Sequence, residues 1–380
     1  MRLRRLLKAS MSLSDTPEVS IIVPARNEEA CLGSCLESLV RQTGIDYEII
    51  VVDDASRDRT VEIARGFSNP PESSPSAGVD GRPQVTILSA PPLARNWTGK
   101  NNAMAAGAKI AMGKWLLFTD ADTVHKPGSL ARAVAEAEEQ RATLLSYSPE
   151  QEVRTVWEKA VMPVIFAELR TTYPPKRVSD PASSLAAANG QYLLISRETY
   201  DAVGGHAEIA SHLLEDVAMA RLVKSSGRKI FFRYGGDALR TRMYRNWSQM
   251  KEGWTKNLAL LFPRPCRLAF ARGLEFVGIV GSLLTGVLAL SFNRFELGSM
   301  ALLLALVLAL WVWMRIRRAH FSWLANLVAL GGLGMFAYLL LRSVSVRRNG
   351  AIRWKGREYR TLGGEGEHES LPSSSPGGRA

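Results

Sequence analysis

The chain has 380 residues, 46% of them hydrophobic and 22% charged, with a formal net charge of +12. That balance excludes a disordered polyelectrolyte and leaves room for one sizeable core plus an appendage. Its three cysteines are too few for a disulfide scaffold, and with no His or Cys cluster beside Cys31 and Cys35 a structural zinc site is excluded as well.

In chain order, Met1 to Ser14 is a basic stretch with Arg2, Arg4, Arg5 and Lys8 among leucines, read as a frayed tail in preference to a membrane-surface segment. No apolar h-region follows it, so a cleaved secretory signal is not expected and the large domain is expected on the cytoplasmic side. The β-branched run Val19 to Pro24 predicts a strand, and Cys31, Leu32, Cys35, Leu36 and Leu39 recur at helical spacing. A second apolar strand is predicted from Tyr47 to Asp54, then a helix from Val61. Ser68 to Pro83, rich in Pro, Ser and Gly, is expected to be a surface insertion. Further strands are predicted at Val85–Leu88, Trp115–Thr119, Leu144–Ser148, Gln191–Ser196 and Lys229–Arg233. The intervening helices are placed at Asn102–Met112, Ser129–Gln140, Val156–Arg170 and Leu214–Lys224, with a break at Pro174-Pro175. This alternation predicts an α/β fold with a mostly parallel sheet and a ligand site at the carboxyl ends of its strands.

Three apolar runs follow, Leu274–Ser291, Gly298–Met314 and Trp323–Leu341, each near the length that crosses a hydrocarbon layer of ~30 Å as a helix. The basic surplus lies beside them: between Arg315 and Arg360, residues 315, 317, 318, 342, 347, 348, 353, 355, 357 and 360 are Lys or Arg, against Glu358 alone. Anionic headgroups explain that placement better than nucleic acid, which would need a basic face on the folded domain. Three complete crossings conflict with the positive-inside tendency, since they carry Arg342 to Arg360 to the face opposite the main domain; one run is then re-entrant or interfacial.

Acidic residues follow the predicted strands at Asp53-Asp54 and Asp120-Ala-Asp122, and Glu215-Asp216 opens a predicted helix. Carboxylates emerging at a strand end supply hard oxygen ligands suited to Mg2+ or Mn2+, and such an ion offsets charge growing on a departing diphosphate. An Asp-x-Asp tripeptide alone is weak evidence; its weight comes from the company of the other two acidic sites. His125 and His206 have no metal partner at useful spacing and are expected in surface or loop roles.

Together the motifs Ser20-Ile-Ile-Val-Pro24-Ala-Arg-Asn27-Glu28, Val51-Val-Asp53-Asp54-Ala-Ser56 with Asp58, Phe118-Thr-Asp120-Ala-Asp122, Ala188-Asn-Gly190-Gln191 and Leu214-Glu215-Asp216 resemble a family-2 inverting glycosyltransferase of the GT-A fold, a Rossmann-like nucleotide-diphospho-sugar transferase domain. The resemblance runs from about Val19 to Asn257 and implies a GT-A domain at 19–262; composition sets a basic tail at residues 1–18, a transmembrane helical region at 263–345, and a basic, then disordered, tail at 346–380. It implies that Pro24, Ala25 and Glu28 line a nucleoside pocket, that Asp54 bonds the base or ribose, and that Lys100 approaches the diphosphate. By the same resemblance Asp120 faces the ribose or metal, Asp122 ligates the metal, and Asp216 is the general base with Glu215 in support. Arg242-Met-Tyr-Arg245-Asn-Trp247 is similar to the Gln-x-x-Arg-Trp element of processive and lipid-modifying relatives, with Arg242 in place of the glutamine and Asn246 inserted. It implies leaving-group or acceptor roles for Arg245, Arg242, Trp247 and Gln191, against the alternative that these arginines meet lipid phosphates and Trp247 marks the interface.

The implied activity is transfer of a hexose from a nucleotide-diphosphate sugar, a UDP-sugar being favoured, to a hydroxyl of a lipid such as a carotenoid, hopanoid or glycerolipid. The expected location is the inner cell membrane, multi-pass, with neither a nucleic-acid nor a protein partner. The alternatives are a polyprenyl-phosphate or polysaccharide-synthase-type transferase and a noncatalytic nucleotide-sugar-binding scaffold. A nicotinamide oxidoreductase is disfavoured because no G-x-G-x-x-G loop follows the first strand.

Overall fold

The computed structural model describes residues 16–68, 83–354, 357–361 and 368–370. In chain order its elements are β1 (Val19–Ala25), α1 (Leu32–Leu39), β2 (Tyr47–Asp53), α2 (Thr60–Arg65), β3 (Gln84–Ser89), α3 (Gly99–Ile110), β4 (Trp115–Phe118), β5 (Thr123–His125), α4 (Ser129–Glu139), β6 (Leu144–Ser148) and β7 (Glu150–Gln151). They continue as α5 (Val156–Thr172), α6 (Pro175–Ser179), β8 (Leu193–Ser196), α7 (Arg197–Ala202), α8 (Glu215–Ser225), β9 (Ile230–Tyr234), β10 (Leu239–Thr241) and α9 (Trp247–Leu261). Three long helices, α10 (Pro265–Ser291), α11 (Phe295–Ile316) and α12 (Trp323–Arg348), and three short strands, β11 (Ala351–Trp354), β12 (Arg357–Thr361) and β13 (His368–Ser370), complete the chain. Two compact units emerge: the described residues of Met1–Glu150, Pro175–Thr241 and Tyr359–Ala380 form the first, and Gln151–Pro174 with Arg242–Glu358 form the second.

The first unit is built on a seven-stranded sheet of order β3-β2-β1-β4-β8-β6-β9. β1 pairs in parallel with β2 and with β4, whereas β8 runs antiparallel between β4 and β6. Continuous apolar runs rather than alternating ones mark the central strands because both faces are covered, and Ile21, Ile22, Ile49, Ile50, Leu116 and Leu117 are all fully buried. α3 packs on that sheet through small residues: a Cβ on Gly107 would come within 2.6 Å of Ile22 Cγ2, so the helix approaches the strand closely only with glycine there. The sheet is therefore mixed and parallel-rich, and Asp53-Asp54 and Asp120-Ala-Asp122 stand at the carboxyl ends of β2 and β4, which flank β1.

Several expectations need correction. His125 and His206 are not surface residues but are 5% and 3% exposed, and burial pushes both down to about 3, leaving neutral rings. The strand pair β5–β10, which sets Thr241 beside Thr123, was too short to show a period in the sequence. Ser68 to Pro83 and Met1 to Ser14 fall almost wholly outside the described residues, as does most of the tail expected to be disordered; within that tail His368–Ser370 pairs with Tyr359–Thr361 as a strand.

The second unit is helical. The expected apolar runs lie inside longer helices, and all three are long and apolar enough to cross a membrane. α5 and α9, which fall inside the 19–262 expected for the main domain, group with these helices because their apolar faces pack on α12: Phe262, just past α9, meets Phe336 edge-on at 6.1 Å, and Ser343 Oγ accepts the Ala259 N–H at 2.9 Å. A charge cluster ties α5, α10 and α11 together. Arg272 reaches Glu168 at 3.0 Å, Arg315 reaches Glu275 at 2.6 Å, and Arg272 also pairs with Glu275. Two cations thus face two anions, which is how charges this enclosed are tolerated.

Gly332 sets the α5–α12 distance, since a Cβ there would lie 1.8 Å from the Ala160 carbonyl oxygen. Gly332→Val is expected to force the helices apart and lower the thermal unfolding midpoint in detergent, overpacking of this kind costing about 1–3 kcal/mol or more. Gly331→Ala is the matched control, because a Cβ at Gly331 meets nothing within 4 Å. Equal midpoints for the two variants would disprove this account of the packing.

Candidate active site

The loops after β1 and β2 are locked to one another. Asp54 N donates to the Ala25 carbonyl at 2.8 Å, Glu28 N to Thr60 Oγ1 at 2.7 Å, and Arg57 N to Asn27 Oδ1 at 2.9 Å. Asn27 and Ala55 turn the chain with φ of 52° and 57°, left-handed values that cost an alanine about 1–2 kcal/mol and persist only where the surroundings over-determine them. Pro24, Ala25 and Asp54 accordingly stand at the carboxyl ends of adjacent parallel strands, and Arg26 Nη1 donates to the Asp54 carbonyl at 2.8 Å while lying 3.7 Å from its carboxylate. Arg26 belongs to the opening motif, but nothing in the sequence signalled this contact.

On the other side of β1, β4 delivers Asp120 and Asp122 into a turn fixed by threonines. Thr123 Oγ1 donates to the Asp120 carbonyl at 2.7 Å, and Thr119 Oγ1 donates to the Gln191 carbonyl at 2.8 Å. With both hydroxyl protons committed to carbonyls, His125 Nε2, 3.0 Å from Thr119 Oγ1 and 3.1 Å from Thr123 Oγ1, carries the proton of the neutral ring and donates to them. Gln191 Nε2 donates to Thr241 Oγ1 at 3.2 Å, and Thr241 Oγ1 donates to the Asp122 carbonyl at 3.1 Å. Gln191 therefore braces the Asp122 turn through its side chain. Burial pushes the neighbouring Cys35 thiol up to about 12, so it stays protonated, and Cys31, Cys35 and Cys266 form no disulfide.

Lys100 joins the acidic sites. Its ammonium lies 2.7 Å from Asp120 Oδ1 and 2.6 Å from Glu215 Oε1. Burial pulls its pKa down, but the charges of Asp120 and Glu215 outweigh that and hold it well above its usual value. Next to this cluster Asp216 accepts the Gly190 N–H at 2.9 Å and the Val217 N–H at 2.8 Å. Burial and then the adjacent Glu215 carboxylate push Asp216 up to about 6, against the opposing pull of Lys100 and the two backbone donors. A carboxylate so poised is ionised at neutral pH yet basic enough to take a proton.

A further residue escaped the sequence reading. Asn101, fully buried beside Lys100, directs its Nδ2 to the carbonyls of Ile209, Ala210 and His212 at 2.7, 3.0 and 3.1 Å, clamping the loop that leads into Glu215-Asp216. Its partners are more than a hundred residues away, and the only local hint is the Thr98 cap, whose side chain accepts the Asn101 N–H.

Arg242, Arg245 and Trp247 belong to the second unit. There Arg242 is engaged by Glu158 through two contacts of 3.0 and 3.3 Å, and Arg245 is exposed with its N–H donated to Gln249 Oε1. Trp247 opens α9 and packs against Trp157 with centroids 5.8 Å apart. Among the described residues no three His, Cys, Asp or Glu side chains are grouped to hold a metal unaided. Two carboxylates on one turn nevertheless suit a hard divalent cation that takes its remaining ligands from phosphate oxygens and water.

The sequence model of the family described as Glycosyl transferase family 2 matches residues 20–198. Among curated proteins, the 4,4'-diaponeurosporenoate glycosyltransferase of Staphylococcus aureus strain MRSA252 is 25% identical over 367 residues, covering 94% of this chain and 92% of its own length, and that of strain USA300 is 26% identical over the same span. Among solved structures, the mannosyltransferase of Pyrobaculum calidifontis in complex with GDP-Man and Mn2+ aligns with a TM-score of 0.48 at 18% identity, covering 91% of this chain and 92% of that one. Staphylococcus aureus TarS 1-349 in complex with UDP-GlcNAc aligns with a TM-score of 0.40 at 14% identity, covering 93% of this chain and 99% of that one. The matched span holds the strand-end motifs described above and stops short of Glu215-Asp216, and the chain is a glycosyltransferase whose residues 20–198 form a family 2 domain on a mixed, parallel-rich sheet.

Proposed function

We propose that this glycosyltransferase moves a hexose from a nucleotide-diphosphate sugar, a UDP-sugar being favoured, onto a hydroxyl of a membrane lipid, by a single displacement that inverts the anomeric centre. The observation that carries the reading is Asp216, half-buried beside the Lys100, Asp120 and Glu215 cluster and held by the Gly190 and Val217 N–H groups, with its pKa raised to about 6. Pro24, Ala25, Glu28 and Asp54 receive the nucleoside, and Lys100 faces the diphosphate. Asp122 and Asp120 are the residues that would hold Mg2+ or Mn2+, which when bound offsets the charge on the departing diphosphate. Asp216 removes the acceptor proton as the oxygen attacks, with Gly190 N–H fixing the carboxylate. Inversion follows because one carboxylate serves and no covalent sugar–enzyme intermediate forms. Arg245 and Trp247 keep the leaving-group and acceptor roles that the family resemblance implies for them, with the catalytic domain facing the cytoplasm.

Two observations favour a lipid acceptor: the three apolar helices, and the diaponeurosporenoate named in the staphylococcal relatives, which points to an acceptor of the carotenoid class. That name also motivates a second reading, in which the acceptor oxygen is a carboxylate. Such an acceptor arrives ionised and needs no base. Membranes containing the protein, incubated with a panel of radiolabelled nucleotide sugars and then extracted, are expected to yield labelled lipid; alkaline treatment cleaves an ester and spares an ether glycoside. Absence of label across the panel overturns the lipid acceptor.

A further inference from the structure

We infer that only the α10–α11 hairpin crosses the bilayer, and that α12 lies along the surface of the leaflet on the catalytic side, with the arginines near its end set against anionic headgroups. The inference rests on the membrane reading above and sharpens it.

Burial separates the three helices. Half of the most apolar window of α12 is covered by protein, 50% against 17% for α11 and 11% for α10. Its buried residues Ala325, Ala329, Gly332, Phe336, Leu340 and Ser343 run along nearly the whole helix. Its partners include α5 and α9, through the Gly332–Ala160 approach, the Phe336–Phe262 contact and the Ser343–Ala259 hydrogen bond, and α10, whose Phe276 lies against Gly334 at the near end of the hairpin.

α5 itself cannot cross. Its 17 residues leave the first unit after Glu150 and return to it at Pro175, so both ends stay on one side, and it carries Glu158, Lys159, Glu168 and Arg170. A helix held along its length beside α5 shares that side.

The exposed face of α12 has the form of an interfacial helix. Trp323, Leu324, Leu327, Tyr338 and Leu341 are its large exposed apolar residues. At about 100° per residue these five positions fall within about 100° of one another, a single stripe down the helix. Arg342 and Arg348 are exposed near its end.

The hairpin, by contrast, has crossing dimensions. From Glu275 to the Asn293 turn is about 27 Å, and from Phe295 to Arg315 about 30 Å, at ~1.5 Å per residue, matching one hydrocarbon layer. The Arg272–Glu275–Arg315–Glu168 cluster closes its near end. Two crossings return the chain to the catalytic side, so Arg315, Arg317, Arg318, Arg342, Arg347 and Arg348 all gather there. The conflict with the positive-inside tendency disappears.

Cysteine accessibility in sealed right-side-out vesicles tests this on the full chain. In the Cys31→Ser protein the exposed native Cys266 marks the near end of α10; Cys35 is buried and stays silent. Arg294→Cys and Asn349→Cys, each in a Cys31→Ser, Cys266→Ser background, report the hairpin turn and the end of α12. An impermeant maleimide is expected to label Arg294→Cys in intact vesicles, and Cys266 and Asn349→Cys only after permeabilisation. Labelling of Asn349→Cys in intact vesicles means three crossings and overturns the inference, as does protection of Arg294→Cys. An epitope at the C-terminus of the otherwise unaltered chain, hidden from antibody until permeabilisation, gives the same answer without cysteine substitutions. Release of the chain by alkaline carbonate overturns the membrane reading itself, a result distinct from either topology.

Discussion

Asp216→Asn is expected to lower kcat for transfer to a hydroxyl acceptor by about 10^3-fold, within the 10²–10⁴ that a positioned base supplies, with little change in the KM for the donor. The sign of the pH effect follows from the direction of the shift. Asp216 works as the ionised base, and burial with the neighbouring Glu215 charge raises it to about 6, so activity should be full above that pH and fall as pH drops through it. An unperturbed aspartate would place that limb near ~4. The Asn variant should retain its donor binding and lose the limb. Lys100→Met should move the limb upward, because Lys100 is the charge that opposes the rise. Purified protein assayed by lipid product over pH 4.5–8 checks both. A variant with near wild-type kcat and an unchanged profile would sink the role given to Asp216 and favour a carboxylate acceptor.

The second large effect concerns Asp122. Asp122→Asn is expected to reduce transfer by about 10²–10³-fold, the scale on which loss of one charge-stabilising group at a departing anion is felt. The fold should survive, because the turn is held by the main-chain carbonyls of Asp120 and Asp122, which accept Thr123 and Thr241 hydroxyls, and the substitution leaves both in place. Chelation should abolish transfer by the unaltered protein, with Mg2+ or Mn2+ restoring it, and titration calorimetry should show weaker metal binding in the variant when nucleotide is present. Full activity of the unaltered protein in excess chelator would end the proposal that Asp120 and Asp122 hold an ion.

Much of the fold was legible because its signals are local. β1, β2 and β4 each hold an apolar run of four or five residues, Ile21–Ala25, Ile49–Val52 and Trp115–Phe118, as strands covered on both faces must. The acidic residues stand directly after them, and Glu215-Asp216 opens α8, where a helix N-terminus favours anions. What stayed hidden was contact between distant stretches. His125 looked solitary because its partners are hydroxyls two and six residues away, a polarity satisfied too quietly for any metal or catalytic pattern to show. The assignment of α5 and α9 to the helical unit depends on Gly332, Phe336 and Ser343, far along the chain, and periodicity within α5 or α9 carries no information about which partner an apolar face will meet. The three acidic sites could be counted in the sequence; that one ammonium, Lys100, joins Asp120 to Glu215 could not.

The Asn101 carboxamide reaches only main-chain oxygens in the loop ahead of Asp216. Every amino acid brings the same carbonyl, so Ala210 and His212, whose side chains are only partly buried, can exchange them without loosening the grip, whereas Ile209 is fixed by its burial. Divergence in the side chains of this loop is thereby uncoupled from the positioning of the carboxylate behind it, and a library randomised at Ala210 and His212 should leave the architecture intact.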